Sequence, residues 1–512
     1  MSVNSAKVSR YGVAELNIRH SDSDLANVWD GPSISAVFTS PGRQKFVVNG
    51  FHYSKDLWKV RFSPPEAGPW NWTLEWQDGV DVHSANGTFD ASEGVGPGPV
   101  RRHPKNPFRL VFADGSLYPA IGIQDCINNS AGGSTLRWGF DGDLRRGADH
   151  HQGSFTDTDT YLSTYSRAGF NLFRWSIDSC SFRLWDRLDS SGNVYLEAEG
   201  KLGDDLVMKL REYGFRVYMV LFNRPAFPMN ASDPAKMDTI KRYVKYVVAR
   251  YGAYVDFWEL MNESDAEDEW YSIVATYLRS IDPYSHLIST SYPRPDLSVI
   301  DINSPHWYQT EDEFSSDRVT VERIQEAKAS GQKPVIFGEQ GNSGQNWDER
   351  SALRLRIHSW TALFNEAFFI LWNSSFAKDY RAEAANIYLG PQERGYIANL
   401  QTFAKSIDSD VRVASIIVRP PAAVKAYALS SSEVFAAYLH NHRDHKNPSR
   451  GTTVQIRIPH EGVAYWYSPE TGTASPGFPV SAGFRTLQVP PFVTDIALIV
   501  NGRFDGSSLR VR

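Results

Sequence analysis

The chain has 512 residues, of which 41% are hydrophobic and 22% are charged, and its formal net charge is −6. This length predicts two or three domains, and the composition is that of a folded globular protein rather than a disordered one. The acidic balance, without a basic stripe along the sequence, argues against a nucleic-acid partner.

The N-terminal segment lacks the apolar run of a secretory signal, and no stretch of about 18 apolar residues occurs in the sequence. We therefore expect no membrane partner and a cytoplasmic location, or a secreted one if a leader precedes this chain. The two cysteines, Cys126 and Cys180, are too few for a disulfide scaffold or a structural zinc site. Free thiols are the first expectation and a disulfide between the loops after strands one and two is the alternative. No metal and no cofactor are expected.

Residues 1–100 have the pattern of short strands separated by Gly, Pro, Asn and Asp, and predict an N-terminal β-sandwich. The predicted strands include 13–18, 34–38, 57–62 and 70–76. In the third of these, apolar and basic residues alternate as in a half-buried strand: Trp58, Val60 and Phe62 with Lys59 and Arg61. A Gly/Pro-rich stretch at 94–99 then marks a domain boundary.

Residues 101–412 change to apolar strands that alternate with amphipathic helices, which is typical of βαβ units around a parallel sheet. Eight strands are predicted, at 118–123, 170–175, 215–221, 254–261, 286–290, 302–306, 334–338 and 367–372. A helix fits between each pair except around strand five. Eight such units over about 300 residues predict a (β/α)8 TIM barrel, so the fold class is α/β. A doubly wound sheet is the rival, but the sequence after strand one has no glycine fingerprint for a dinucleotide.

Residues 413–512 return to strands separated by turn-rich segments, and predict a smaller C-terminal β-sandwich. The predicted strands are 415–418, 434–439, 454–458, 463–468 and 496–500.

Two glutamates end strands of the predicted barrel. Glu263 follows strand four directly after Asn262, and Glu339 ends strand seven. The carboxyl ends of barrel strands gather catalytic groups at one face, so both carboxylates are expected there. Two carboxylates that flank a glycosidic bond are the groups a glycosidase needs. A third carboxylate, Glu259, lies four residues deeper on strand four, where a buried structural hydrogen bond is the expected role.

These strand ends resemble the retaining glycoside hydrolases that have (β/α)8 barrels, the clan A enzymes of which family 5 is the familiar example. The resemblance rests on Asn262-Glu263 and Glu339, and on four further strand-end residues: Arg174 at the end of strand two, His306 and Tyr308 in strand six, and Trp372 at the end of strand eight. Residues 51–72 and 465–472 are similar to the N- and C-terminal sandwiches that accompany such barrels.

The resemblance implies roles for these residues. Glu263 would be the acid and then the base, and Glu339 the nucleophile. Asn262 would bind the sugar 2-hydroxyl, Arg174 and Tyr308 would support the nucleophile, and Trp372 would lie under the sugar. His306 either lines the sugar site or binds a loop carbonyl. Asp125, at the end of strand one, either binds a terminal sugar or caps the next helix.

The sequence thus predicts a retaining glycoside hydrolase that works by double displacement. Because no secretory signal is visible, we expect the enzyme to act on imported oligosaccharides or small glycosides. Exo action is expected, and a pocket closed by long βα loops would support it. A transglycosylase with the same covalent intermediate and a non-catalytic carbohydrate-binding barrel are the alternatives. A carbohydrate is the expected partner, and a homo-oligomer is left open.

Overall fold

A computed structural model describes most of the chain. The described residues are 2–3, 7–20, 25–77, 81–94, 96–124, 127–128, 137–138, 158–178, 183–223, 231–309, 311–329, 331–342, 350–372, 389–420, 423–502 and 510–511. The chain divides into two compact units. One contains Met1–Val100, Cys126–Trp138 and Arg174–Asp301, and the other contains Arg101–Asp125, Gly139–Phe173 and Ile302–Arg512.

The N-terminal hundred residues of the first unit form two sheets. Their strands are β1 (Ser2–Val3), β2 (Lys7–Ser9), β3 (Ala14–Arg19), β4 (Ser33–Thr39), β5 (Lys45–Asn49), β6 (Phe51–Ser54), β7 (Leu57–Phe62), β8 (Gly68–Gln77) and β9 (Val82–Ser92). The strand orders are β1-β3-β7-β6 and β2-β9-β8-β4-β5. One apolar core contains buried side chains from both sheets. In β8 every second residue faces this core, and these residues are large: Trp70, Trp72, Leu74 and Trp76.

Strands of the middle region follow in chain order. They are β10 (Val100–Arg102), β11 (Leu110–Phe112), β12 (Ile121–Gln124), β13 (Ile127–Asn128), β14 (Arg137–Trp138), β15 (Leu172–Ser176), β16 (Trp185–Asp189), β17 (Gly192–Tyr195), β18 (Arg216–Phe222), β19 (Phe257–Met261), β20 (Leu287–Thr290), β21 (Ile302–Asn303), β22 (His306–Gln309), β23 (Val335–Asn342) and β24 (Ala367–Trp372).

Nine of these strands form one closed sheet, in the order β21-β20-β19-β18-β15-β12-β24-β23-β22, and β21 also pairs with β23. Because β21 and β22 are two pieces of the sixth strand, the sheet is an eight-stranded barrel, and the neighbouring strands whose register is resolved run parallel. Strands β15, β19 and β20 are buried along their whole length, as expected of parallel strands covered on both faces. The (β/α)8 barrel predicted from the sequence is confirmed.

Helices flank the barrel strands. They are α1 (Thr158–Arg167), α2 (Glu197–Glu212), α3 (Pro234–Tyr251), α4 (Asp268–Ile281), α5 (Ser316–Ala329), α6 (Ser351–Phe364) and α7 (Pro391–Ala404). Helix α3 begins as its sequence predicts, because the Asp233 side chain accepts hydrogen bonds from two first-turn N–H groups and a proline follows it. In the described part of the chain, no helix is both long enough and apolar enough to cross a bilayer.

Residues after 411 form two further sheets. Their strands are β25 (Arg412–Ala414), β26 (Ile417–Arg419), β27 (Val424–Ser430), β28 (Phe435–Asn441), β29 (Thr453–Ile458), β30 (Gly462–Tyr467), β31 (Thr473–Ala474), β32 (Phe478–Val480), β33 (Gly483–Gln488), β34 (Asp495–Val500) and β35 (Arg510–Val511). The larger sheet has the order β25-β27-β28-β34-β30-β31-β35, the smaller one β26-β29-β33, and one core joins them. The domain boundaries near residues 100 and 412 stay predictions.

The sequence predicts that the apolar residues of β7 face the core and that its basic residues are exposed. This is correct for the apolar residues and wrong for Arg61, which is only 3% exposed. The Arg61 guanidinium donates to Asp204 of α2 at 2.8 Å and to Glu15 of β3 at 2.9 Å. Arg250 of α3 donates to the same Asp204 carboxylate at 2.9 and 3.0 Å. Burial alone would raise the pKa of Asp204, but the two guanidinium groups outweigh it and hold the pKa below its usual value.

This carboxylate therefore links an N-terminal sheet to two barrel helices, and its removal leaves two buried cations without their shared counter-ion. We expect Asp204→Asn to lower the free energy of unfolding by about 3–5 kcal/mol. Denaturant titration of Asp204→Asn beside Asp205→Asn, the exposed neighbour on the same helix, measures this. Equal stabilities of the two variants would contradict the assignment.

The C-terminal sheets in the second unit are joined to barrel helices by similar buried groups. Asp495 of β34 accepts from Arg356 of α6 at 3.0 Å and from the Tyr438 hydroxyl at 3.1 Å. Asp317 of α5 accepts from the Tyr427 hydroxyl at 2.9 Å. The predicted strands of this region are found, but several others were not predicted, among them β27 and β33, in which buried and exposed residues do not alternate cleanly.

His358 of α6 is fully buried, with its ring stacked on Trp307 at 4.5 Å and edge-on to Phe369 at 5.2 Å. Burial lowers its pKa to about 3. In the unfolded chain a histidine takes up a proton near pH 6.5, so between these values the unfolded state binds one more proton than the folded state.

Stability should consequently fall as pH decreases from about 6.5 towards 3, by up to about 1.4 kcal/mol per pH unit from this residue. In His358→Phe, which keeps the ring packing, we expect a shallower acid slope. Unfolding free energies measured from pH 7 to pH 4 test this, with His83→Phe at an exposed position as the control. If the loss of stability per pH unit were the same in His358→Phe as in the wild type, the buried histidine would not be the cause of that loss.

Candidate active site

A buried ion pair lies beneath the end of β19 in the first unit. Arg174 of β15 donates to both carboxylate oxygens of Glu259, at 2.6 and 2.8 Å, and both side chains are at most 1% exposed. Fully buried charges persist only with such close partners, because each has lost its hydration. Glu259 therefore has the buried hydrogen-bonding position expected of it.

The same guanidinium fixes the orientation of Asn262. Arg174 donates to Asn262 Oδ1 at 2.5 Å, and Asn262 Nδ2 donates to Asn223 Oδ1 at the end of β18. The Asn223 N–H in turn donates to Asp178 at 3.0 Å. Arg174 in β15 and Asn223 just after β18 thus hold the Asn262 amide in one orientation. Among the described hydrogen bonds only one Nδ2 hydrogen is used, and the other can donate to a further acceptor.

Glu263 follows Asn262 with an exposed side chain. Its backbone is left-handed, with φ at 42°, which is uncommon for a residue other than glycine. Its N–H donates to the Ser291 hydroxyl, just beyond β20, at 2.7 Å. The structure thus brings Arg174, Asn262 and Glu263 of the predicted site together in the first unit.

Glu339 lies in β23 of the second unit and is 5% exposed. Gln124 Nε2 donates to its Oε1 at 3.2 Å, the Tyr308 hydroxyl donates to its Oε2, and His306 Nδ1 lies 3.4 Å from Oε2. Donors on both oxygens fix the plane of the carboxylate. The second unit thus brings Tyr308 and His306 of the predicted site to Glu339.

The backbone around Glu339 departs from regular strand pairing. The pairing of β23 with β24 shifts register between Phe337 and Gln340, and such bulges redirect side chains at barrel ends. The preceding Gly338 is required by packing, because a Cβ there would lie 2.6 Å from Ser304 Oγ.

The remaining predicted residues have mixed outcomes. Trp372 ends β24 and is partly buried, and its place under the sugar stays a prediction. Asp125, the two cysteines and therefore the disulfide alternative lie outside the described residues. The hydrogen bonds described for Arg174 go to Glu259 and Asn262, and its support of the nucleophile stays a prediction.

Gln124, Asn223 and Ser291 were not singled out in the sequence. All three are at or just beyond the end of a barrel strand, and this position is the signal that could have found them. Their partners depend on the register between strands, which a single sequence does not reveal.

With this geometry established, comparisons with known proteins become informative. A family described as a domain of unknown function, DUF5060, matches residues 7–77. No curated protein matches the chain. Among solved structures, one from Bacteroides vulgatus, named as a candidate glycoside hydrolase, is 16% identical over 96% of this chain and 99% of that one, with a TM-score of 0.68.

Another from Bacteroides vulgatus, named as a glycoside hydrolase of family 5, is 13% identical over 79% of this chain and 94% of that one, with a TM-score of 0.53. The chain has the fold of barrel glycoside hydrolases. At these identities the likeness concerns the fold, and in this respect the resemblance inferred from the strand ends is confirmed.

Loss of the Glu259 charge should destabilise the first unit and disturb Asn262. We expect Glu259→Gln to lower the free energy of unfolding by about 3–5 kcal/mol, because Arg174 would be left buried without its counter-ion. Denaturant titration measures this against Glu269→Gln, an exposed position on α4. If Glu259→Gln unfolded like the control, the ion pair would not carry the stability assigned to it.

Proposed function

We propose that the chain is a retaining glycoside hydrolase in which Glu263 is the acid/base and Glu339 the nucleophile. The observation that carries the proposal is the setting of Glu339. It is a nearly buried carboxylate in the carboxyl-terminal half of barrel strand β23, held by donors on both oxygens. An ionised carboxylate accepts from both sides in this way, and its fixed plane suits attack on one carbon.

The barrel supplies the second carboxylate. Glu263 follows strand four and Glu339 lies in the carboxyl-terminal half of strand seven, and the carboxyl ends of barrel strands share one face. For a retaining mechanism, we expect the two carboxyl groups to lie about 5–5.5 Å apart when substrate is bound. The exposed side chain of Glu263 suits a group that must exchange protons with a leaving group and with water.

The reaction would proceed in two displacements. In the first, Glu263 donates its proton to the glycosidic oxygen, the bond from that oxygen to the anomeric carbon breaks, and a Glu339 oxygen bonds to that carbon. In the second, the Glu263 carboxylate takes a proton from water, the water oxygen bonds to the anomeric carbon, and the bond to Glu339 breaks. Two inversions give net retention, and neither step needs a metal or a cofactor.

Asn262 would act on the sugar beside the bond that breaks. Its amide is held by Arg174 on the oxygen and by Asn223 on the nitrogen, and the second Nδ2 hydrogen would bind the sugar 2-hydroxyl. Such a bond strengthens as the oxocarbenium ion develops, so it favours the transition state over the bound substrate. Trp372 would provide the apolar surface under the same sugar. We propose exo action on oligosaccharides or small glycosides.

A panel of α- and β-linked nitrophenyl pyranosides and furanosides tests this proposal. We expect one glycone to be hydrolysed with retention, and Glu339→Ala to lower kcat at least ~10⁴-fold, in the range of lost nucleophiles. Glu263→Ala should be slow but accelerated by azide, which attacks the covalent intermediate without a base and yields a glycosyl azide of retained configuration. Product stereochemistry is read by NMR.

Glu326→Ala and Glu267→Ala, at exposed positions, are the matched controls. Full activity in Glu339→Ala would exclude this nucleophile. Sugar binding without turnover would favour the non-catalytic barrel, and transfer to added sugars in place of hydrolysis would favour the transglycosylase.

A further inference from the structure

The backbone at Glu263 is unusual among the strand ends of the barrel. Seven non-glycine residues in the described chain have positive φ. Of these seven, Glu263 is the one that lies two residues beyond the carboxyl end of a barrel strand, β19. A left-handed conformation of this kind costs about 1–3 kcal/mol for a residue with a side chain, and persists only where the surroundings enforce it. Something around Glu263 must therefore hold it.

Ser291 makes a described contact with this backbone. Its hydroxyl oxygen accepts the Glu263 N–H at 2.7 Å, and its own N–H donates to the Met261 carbonyl at 3.0 Å. Ser291 thus bonds to the chain on both sides of Asn262, and it is only 3% exposed. The neighbouring Thr290 hydroxyl also donates to the Met261 carbonyl, at 3.2 Å. The end of strand four is therefore fixed by the end of strand five.

The direction of a side chain depends on φ, because φ sets where the Cα–Cβ bond points relative to the preceding peptide. If the Glu263 backbone relaxed to a negative φ, its carboxyl group would be swung away from its present position. Proton transfer to a leaving group requires placement within hydrogen-bond reach, so a small displacement lowers the rate.

We infer that Ser291 is a positioning residue for Glu263: its hydroxyl fixes the Asn262–Glu263 peptide, and this anchored peptide supports the left-handed backbone that aims the acid/base carboxyl at the glycosidic oxygen. The inference rests on the proposed function in one respect, the role of Glu263. It assigns Ser291 no contact with substrate. Its effect should therefore be confined to the steps in which Glu263 moves a proton.

Leaving-group dependence separates positioning from a general structural role. A dinitrophenol leaves without protonation, whereas a phenol of ordinary acidity needs the acid. In Ser291→Ala we expect kcat/KM to fall at least ~10-fold for the phenyl glycoside and less than ~3-fold for the dinitrophenyl glycoside. The loss for the phenyl glycoside is a fraction of the ~10²–10⁴-fold rate enhancement that general acid catalysis contributes. Ser291→Thr, which keeps the hydroxyl, should restore most of the loss.

Ser280→Ala, at an exposed position on α4, is the matched control. Thermal denaturation of each variant establishes that it is folded, and if Ser291→Ala does not fold, Ser291→Cys, with its weaker acceptor, takes its place. An equal loss for all leaving groups, or no loss in Ser291→Ala, would overturn the inference.

Crystal structures of the wild type and Ser291→Ala provide a readout that needs no substrate. We expect φ of Glu263 to be positive in the wild type and to leave the left-handed region in the variant. A wild type that hydrolyses no glycoside would refute the proposed function, and the change in φ would still decide whether Ser291 holds this backbone. A positive φ retained in Ser291→Ala would overturn the inference by itself.

Discussion

The bidentate ion pair between Arg174 and Glu259 is the interaction on which the first unit's part of the candidate site depends. Neither charge reaches solvent, so each is stable only while the other is in place. The guanidinium is planar and its donors are fixed in direction, which means that pairing with Glu259 also determines where the second Nη2 hydrogen points. It points at Asn262, and the residue after Asn262 is Glu263. A buried charge pair thus gives orientation to a strand end that apolar packing alone would leave less defined.

The same physical solution recurs where the terminal sheets meet barrel helices. Asp204 is shared by Arg61 and Arg250, and Asp495 is shared by Arg356 and Tyr438. In each case a buried carboxylate accepts from donors on two different elements. Apolar contact is non-directional, whereas a hydrogen-bonded ion pair has a preferred geometry. We expect these clusters to fix the position of each sheet on its helices more than they add to stability.

Much of the fold could be predicted from the sequence, for a reason that also explains the exceptions. Parallel barrel strands are buried on both faces and give continuous apolar runs, so all eight were located to within a few residues. Arg61 was misjudged because alternation along a strand reveals that a residue faces away from its own core, not that a helix covers that face. Strands β27 and β33 were missed because their exposed and buried residues do not alternate cleanly.

The candidate site divides in the same way. Glu263 and Glu339 were found because their residue type and their place at the ends of the predicted strands can be read directly from the sequence. Gln124 and Ser291 were not, because a polar residue at a strand end becomes a partner only through the register of the neighbouring strand. Glu339 lies where the pairing of its strand shifts register, and Glu263 has a backbone conformation that no local sequence signal indicates. The residues that carry out chemistry can thus be read from their type, whereas the residues that aim them are defined by contacts. If Glu263 depends on Ser291 for its direction, two sequences can share both glutamates and still differ in activity through a neighbour that touches no substrate.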